Sequence, residues 1–191
     1  MLTLLAANGS VIASFTFGTV EPWPVDGDGP GYSLLLNNPA AGADYEDGSS
    51  WRSSAQTGGS PGGTNADAFA GLISGDSDKD GMSDFLEYAM GSSYSSPSSV
   101  PILQHSLITD PPGAAPGVYL SYQYRRNLNA DGVMLTPQHS TDLGSWSGAG
   151  IIYMSTQNMG DGTALVSCRS ADPVGGPGLR SYMRVMVSPA P

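Results

Sequence analysis

Positive charge is nearly missing from this chain. Of its 191 residues only seven are Lys or Arg against 17 Asp and Glu, Lys79 is the sole lysine, and the formal net charge is −10. No basic stripe is available to follow a phosphate backbone, which argues against nucleic acid as a partner. Cysteine is reduced to Cys168. With no intrachain disulfide, stability outside the cell has to come from packing, metal or assembly, and the thiol itself is read as a small buried apolar residue. No run approaches the ~18 apolar residues of a membrane helix, so no membrane span is expected. Met1 to Phe17 lacks a positive leading segment and is interrupted by Asn8-Gly9, so it is read as folded structure and not as an export signal.

Long helical periodicity is also absent, charged residues make up only 13%, and Gly (26) and Pro (15) are plentiful. That composition suits many short strands joined by turns. Leu2–Ala6 and Val11–Phe17 flank Asn8-Gly9, whose residues tolerate the positive φ of a type I′ hairpin turn. Tyr32–Leu36 and Trp51–Ser54 read as further strands, and Ser60-Pro61-Gly62-Gly63 closes the segment. Beyond residue 98, Val118, Leu120, Tyr122 and Tyr124 alternate, Asp131-Gly132 leads into Val133–Thr136, Ile151–Ser155 and Thr163–Cys168 flank Asp161-Gly162, and Met183, Val185 and Val187 alternate near the end. The expected fold is mainly β: two small antiparallel sandwich units of immunoglobulin-like form, at 1–63 and 98–191, joined across 64–97 by a calcium loop, one short helix and a Ser/Pro linker.

The helix is expected over Ser83–Met90, with Phe85, Leu86 and Ala89 as its apolar stripe and Gly91 as its stop. Directly before it, Asp76-Ser77-Asp78-Lys79-Asp80-Gly81-Met82-Ser83-Asp84-Phe85-Leu86-Glu87 places oxygen donors at positions 1, 3, 5, 9 and 12 and Gly at position 6, the spacing of an EF-hand-type loop. A hard cation such as Ca2+ takes about six to eight oxygens at roughly 2.3–2.6 Å. Alternate residues of a tight loop can aim three carboxylates inward. Asp76, Asp78 and Asp80 are therefore the expected ligands, with the Met82 carbonyl, Asp84 directly or through a water, and a bidentate Glu87 completing the shell. Five acidic groups within twelve residues repel one another unless a cation compensates them. A second metal site at Asp26 and Asp28 is the weaker candidate, since that stretch reads as a short acidic turn. The loop with a single following helix is similar to the calcium loops of dockerins and thrombospondin type 3 repeats, which implies a structural staple at the junction of the two units.

Residues 2–62 carry a further likeness. Leu2-Thr3-Leu4-Leu5, Asn8-Gly9-Ser10-Val11-Ile12, Phe15-Thr16-Phe17-Gly18, Trp23-Pro24, Asp28-Gly29-Pro30-Gly31-Tyr32-Ser33-Leu34, Trp51-Arg52-Ser53-Ser54 and Gly58-Gly59-Ser60-Pro61-Gly62 together resemble the carboxy-terminal half of bacterial lamin-tail domains. The resemblance implies an immunoglobulin-like sandwich on a secreted or surface protein, without catalytic residues. Tyr124-Arg125-Arg126-Asn127 and Ser140-Thr141-Asp142-Leu143-Gly144-Ser145-Trp146, within a β module starting near Pro101, are similar to tails of large secreted proteins of environmental bacteria. A full immunoglobulin-like domain needs roughly 100 residues, so the likeness covers a half-sandwich. Its open edges need cover, from a neighbouring subunit's strand or from strands of a longer gene product, the third alternative being a small sandwich that closes by itself.

Catalytic signatures are scarce. His105 and His139 are the only histidines, and no Gly-x-Ser-x-Gly, His-Glu-x-x-His or phosphate-binding Gly loop occurs. No enzyme is expected. Trp23, Trp51 and Trp146 suit core packing better than a sugar-stacking platform, and Asn8-Gly9-Ser10 matches a glycosylation acceptor whose Asn serves the turn first. The expected function is that of a calcium-stabilised extracellular structural protein, a bacterial surface filament subunit whose partners are copies of itself, head to tail, with glycans as further partners. The alternative is a monomeric accessory module that binds glycans or a protein at the tail of a secreted bacterial protein.

Overall fold

Alternating apolar sequence becomes strand wherever a turn residue lets the chain reverse. The computed structural model shows ten strands and one α-helix among the described residues, which are 1–20, 22–37, 42–61, 63, 67–99, 101–130, 132–175 and 180–189. Strands β1 (Leu2–Leu5) and β2 (Val11–Phe15) form an antiparallel hairpin with Leu2 opposite Phe15. Its turn departs from the type I′ expectation. That turn needs positive φ at both central residues, whereas of Asn8 and Gly9 only Gly9 has it, at +83°. Asn8 instead uses its side chain, whose Oδ1 accepts the Ser10 amide at 3.1 Å, while the Gly9 amide donates to the Ala6 carbonyl.

Strands β3 (Tyr32–Leu36) and β4 (Trp51–Thr57) form a second antiparallel pair. The latter runs past its expected end at Ser54 because a register shift between Tyr32 and Leu34 brings Thr57 opposite Tyr32. An aromatic cluster ties the two hairpins together. The Phe15 ring lies 5.2 Å from Trp51 and 5.6 Å from Tyr45, and Trp23 stacks 6.0 Å from Trp51.

Helix α1 (Asp84–Met90) follows, capped by Ser83, whose Oγ accepts the Leu86 amide, and stopped by Gly91 at φ +76°. Both ends are where the capping chemistry puts them. A side chain at Gly91 would also come within 2.6 Å of Thr163 Cγ2. The Asn127 side-chain Nδ2 donates to the Tyr88 carbonyl, so the helix end is fixed onto the sheet beneath it. The Ser-rich residues after α1 run as consecutive turns bonded through their own backbone.

Strands β5 (Leu103–Thr109), β6 (Val118–Asn127), β8 (Ile151–Asn158) and β9 (Thr163–Ser170) make an antiparallel sheet in the order β5-β6-β9-β8, while β7 (Val133–Ser140) pairs with β10 (Tyr182–Pro189). β5 has no apolar stripe to announce it. All but one of its residues are exposed, and its ladder with β6 holds it. One face of the larger sheet is covered by α1 and by β7–β10: Met90, Tyr122, Tyr124, Ile151, Val166 and Cys168 form a buried cluster with Leu86, Leu135, Met183 and Val185 against it. A second cluster joins Phe85, Tyr88 and Ala89 to Ala130 and Val133. The opposite face of β6 is covered as well, since Arg169 lies over the buried Tyr119 ring at 4.9 Å. The architecture is mainly β and sandwich-like, with several small antiparallel sheets and one helix, as the composition and turn pattern predict. Of the expected turn signals, Gly62, Asp131 and the boundary residue Thr64 lie outside the described residues.

Residues of the first two hairpins also touch the larger sheet. Ala55 packs with Leu128 and Ala164, Arg126 donates to the Asn37 side chain, and Asn158 donates from its amide to Asp26 and from its side chain to the Ser54 carbonyl.

Candidate metal centre

The loop ahead of α1 is shaped by its own carboxylates. Each of three aspartates accepts a backbone N–H from further along the loop: Asp76 from Gly81 at 3.1 Å, Asp78 from Asp80 at 3.2 Å and Asp80 from Met82 at 2.8 Å. Such bonds wind the chain tightly and satisfy amides that would otherwise face the loop interior. The winding needs positive φ twice, at Lys79 (+65°) and at Gly81 (+93°). As a result one oxygen from each of Asp76, Asp78 and Asp80 lies within 4.8 Å of the others.

Glu87, in the first turns of α1, stands outside that group but near enough to feel the charges of Asp78 and Asp80. Its side chain is fully buried. One oxygen, Oε1, is 3.4 Å from the Ser92 hydroxyl, whereas among the described residues Oε2 has no hydrogen-bond partner, and neither has Asp78 Oδ2. Burial, followed by the negative charges of Asp78 and Asp80, pushes the Glu87 carboxyl above its ordinary value, with the Ser92 hydroxyl opposing. An orphaned buried carboxylate oxygen near further carboxylates is costly unless a cation sits among them.

Asp84 is placed differently from the three loop aspartates. It is buried, and its two oxygens accept the Ser77 amide and the Ser77 hydroxyl, both at 2.7 Å. The Asp84 amide donates to the Gly75 carbonyl. Asp84 thus clamps the start of the loop over the helix N-terminus, and the packing is tight enough that a side chain at Gly75 would come within 2.9 Å of it. Met82 contributes its backbone here through the bond to Asp80. The parts played by Ser77, Ser92 and Gly75 were not visible in the sequence. Small residues flanking an acidic motif are common, and only the folded loop shows which carboxylate each one meets.

At the other acidic turn, Asp26 Oδ2 accepts from the Asn158 amide at 3.0 Å and from the Ser53 hydroxyl at 3.3 Å. It joins the first hairpins to β8, and among the described residues it belongs to no cluster of potential metal ligands. Each of the three tryptophans packs against other side chains: Trp23 is buried, Trp51 stacks with Phe15 and Trp23, and the Arg184 guanidinium sits 4.2 Å over Trp146. His139 shares a hydrogen bond with Ser181 and His105 is exposed on β5. Cys168 is fully buried, its thiol pushed up to about 12 by burial, in keeping with a core residue.

A cleft of about 420 Å3 lies between the first hairpins and the larger sheet, lined by Trp51, Arg52 and Asp47 on one side and Tyr124, Tyr153 and Val166 on the other. Among the described residues no helix is long and apolar enough to cross a membrane. No family model, curated protein or solved structure matches this chain.

Proposed function

We propose that this chain is a calcium-stabilised extracellular structural protein, a subunit of a surface filament or fibre in which copies complete one another's sheets. The observation that carries the assembly is the β1–β2 hairpin. It is a two-stranded sheet with no further strand on either edge among the described residues, and Leu2, Leu4, Leu5, Val11 and Ile12 are all exposed on it. An isolated two-stranded hairpin is at best marginally stable in water, and open edges with exposed apolar residues invite pairing with another chain. Copies of the chain are the partners we assign, head to tail, and a rotation that does not close gives a fibre.

Calcium in this reading rests on Glu87, whose Oε2 is buried without a partner among the described residues and whose carboxyl feels the charges of Asp78 and Asp80. The ion would draw on the side chains of Asp76, Asp78, Asp80 and Glu87 and on the Met82 carbonyl, with Asp84 holding the loop closed through Ser77. Its effect would be structural, since α1 is part of two buried clusters of the sandwich. We assign no catalysis to the chain. The likeness of residues 2–62 to lamin-tail domains is in keeping with an extracellular setting.

The cleft favours a second reading, a monomeric accessory module that takes a glycan or a protein segment, because its volume falls within the range of ligand pockets. Electron microscopy and light scattering of the purified chain with calcium separate the two. Rods or fibres are expected. A monodisperse monomer at high protein concentration overturns the assembly.

A further inference from the structure

The two sheets of the sandwich are unequal. Four strands, β5-β6-β9-β8, face the two strands β10-β7. β7 is bonded to β10 along its whole length, but on its other side, among the described residues, only His139 bridges, to Ser147. Val133, Met134, Leu135 and Thr136 therefore form an open strand edge among the described residues, and all four line the cleft together with Tyr124 and Val166 of the larger sheet. The edge strand presents backbone donors and acceptors next to apolar surface, which is the geometry that an added strand satisfies.

The chain also contains a segment of matching character. From Leu2 to Gly18 there is no charged residue. The exposed side chains Leu2, Leu4, Leu5, Val11, Ile12 and Phe17 present apolar surface on the order of 500 Å2, which is patch-sized for an interaction site and a large share of the ~800 Å2 each partner gives to a standard interface. Within one chain the hairpin is held by Phe15 against Trp51 and Tyr45, and neither of its strands pairs with β7. An uncharged donor also avoids the repulsion that a chain of net charge −10 meets at other self-contacts.

We infer that β1 of one copy adds to the open edge of β7 in the next, along Val133–Thr136, extending β10-β7 into a four-stranded sheet opposite the larger one. The inference rests on the assembly proposed above and supplies its donor and acceptor. The occupant of the cleft rim is a second copy of this chain.

Hydrogen exchange on the unmodified chain, assembled and dispersed, tests it without any substitution. Amides of Leu2–Leu5 and of Val133–Thr136 should both slow on assembly, by at least tenfold. Protection confined to other segments overturns the docking while leaving the assembly intact. A chain that stays monomeric with calcium refutes the assembly itself, and the docking with it.

Cross-linking gives the geometry. Leu4→Cys chains mixed with mass-tagged Met134→Cys chains and treated with a bis-maleimide should give mainly mixed-mass dimers, because both positions are exposed and Cys168 is fully buried. Dimers joining Leu4→Cys to Leu4→Cys would show hairpins pairing with each other and would overturn the β7 acceptor. Leu4→Asp should abolish assembly with the monomer's melting temperature unchanged; assembly at the parent level would count against β1 as donor.

Discussion

Strands β1 and β2 and strands β6 and β9 are drawn from similar alternating apolar sequence, but they end in opposite surroundings. Leu4 and Ile12 remain 53% and 61% exposed, while Tyr124 and Val166 are 3% and 5% exposed. The ladders are of the same antiparallel kind. What differs is the layer above them: α1 and β10-β7 lie on the larger sheet, whereas the first hairpin is held at one end by Phe15 among Tyr45 and Trp51. Strand sequence thus specifies the ladder, and burial depends on a partner face. Stability should be concentrated in the second region, while the first offers surface for contact.

The largest test of that contrast is Phe85→Ala. The side chain is buried where α1 meets Ala130 and Val133, so its removal should cost about 3–5 kcal/mol by denaturant unfolding. A loss below ~1 kcal/mol would mean that the second region is not the stable one. Calcium removal comes next. With free ion at about 100 times its dissociation constant, chelation should lower stability by ~2.7 kcal/mol, read as a fall in melting temperature by calorimetry. Glu87→Gln should remove most of that response, and an unchanged melting temperature on chelation of the parent chain would refute the metal centre.

Smaller effects sharpen the map. Ser83→Ala removes the cap of α1 and should cost ~1 kcal/mol, with weaker calcium binding because the loop and helix share that residue. Asp161 gives a pH dependence of known sign. The Thr163 hydroxyl and amide and the Arg125 guanidinium, 2.8 Å away, hold its carboxyl below the ordinary 3.8. A lowered folded value means that its stabilisation is full above 3.8 and is lost as pH falls from there through the folded value. The Asp161 side chain is half exposed, so Asp161→Asn should cost less than about 1 kcal/mol near neutral pH. Last, Leu4→Ala should change monomer stability by no more than ~0.5 kcal/mol, and a larger loss would show that the first hairpin has a core of its own.

Much of this was legible beforehand for local reasons. The ends of helix α1 are legible to within a residue because Ser83 and Gly91 act on their own backbone neighbourhood, and the tight acidic loop before it because Asp and Gly at short spacing bend the chain locally. Local signals failed where the partner was distant. β5 carries no stripe and is held by its ladder with β6, and the far end of β4 depends on a register shift opposite Tyr32.

The sequence by itself determined the strand-rich class, the helix with both its ends, and the acidic loop that precedes it, because alternation, capping and the local bonds of Asp and Gly are all short-range. Only the tertiary structure decided that Asp84 bonds Ser77, that Asp26 joins the first hairpins to β8, and that, among the described residues, Glu87 is buried with one oxygen unpartnered and β7 keeps an open edge beside an unequal sheet. Each of these is a contact between residues far apart in the chain or a matter of which way a side chain turns, and burial settles it once the layers have packed.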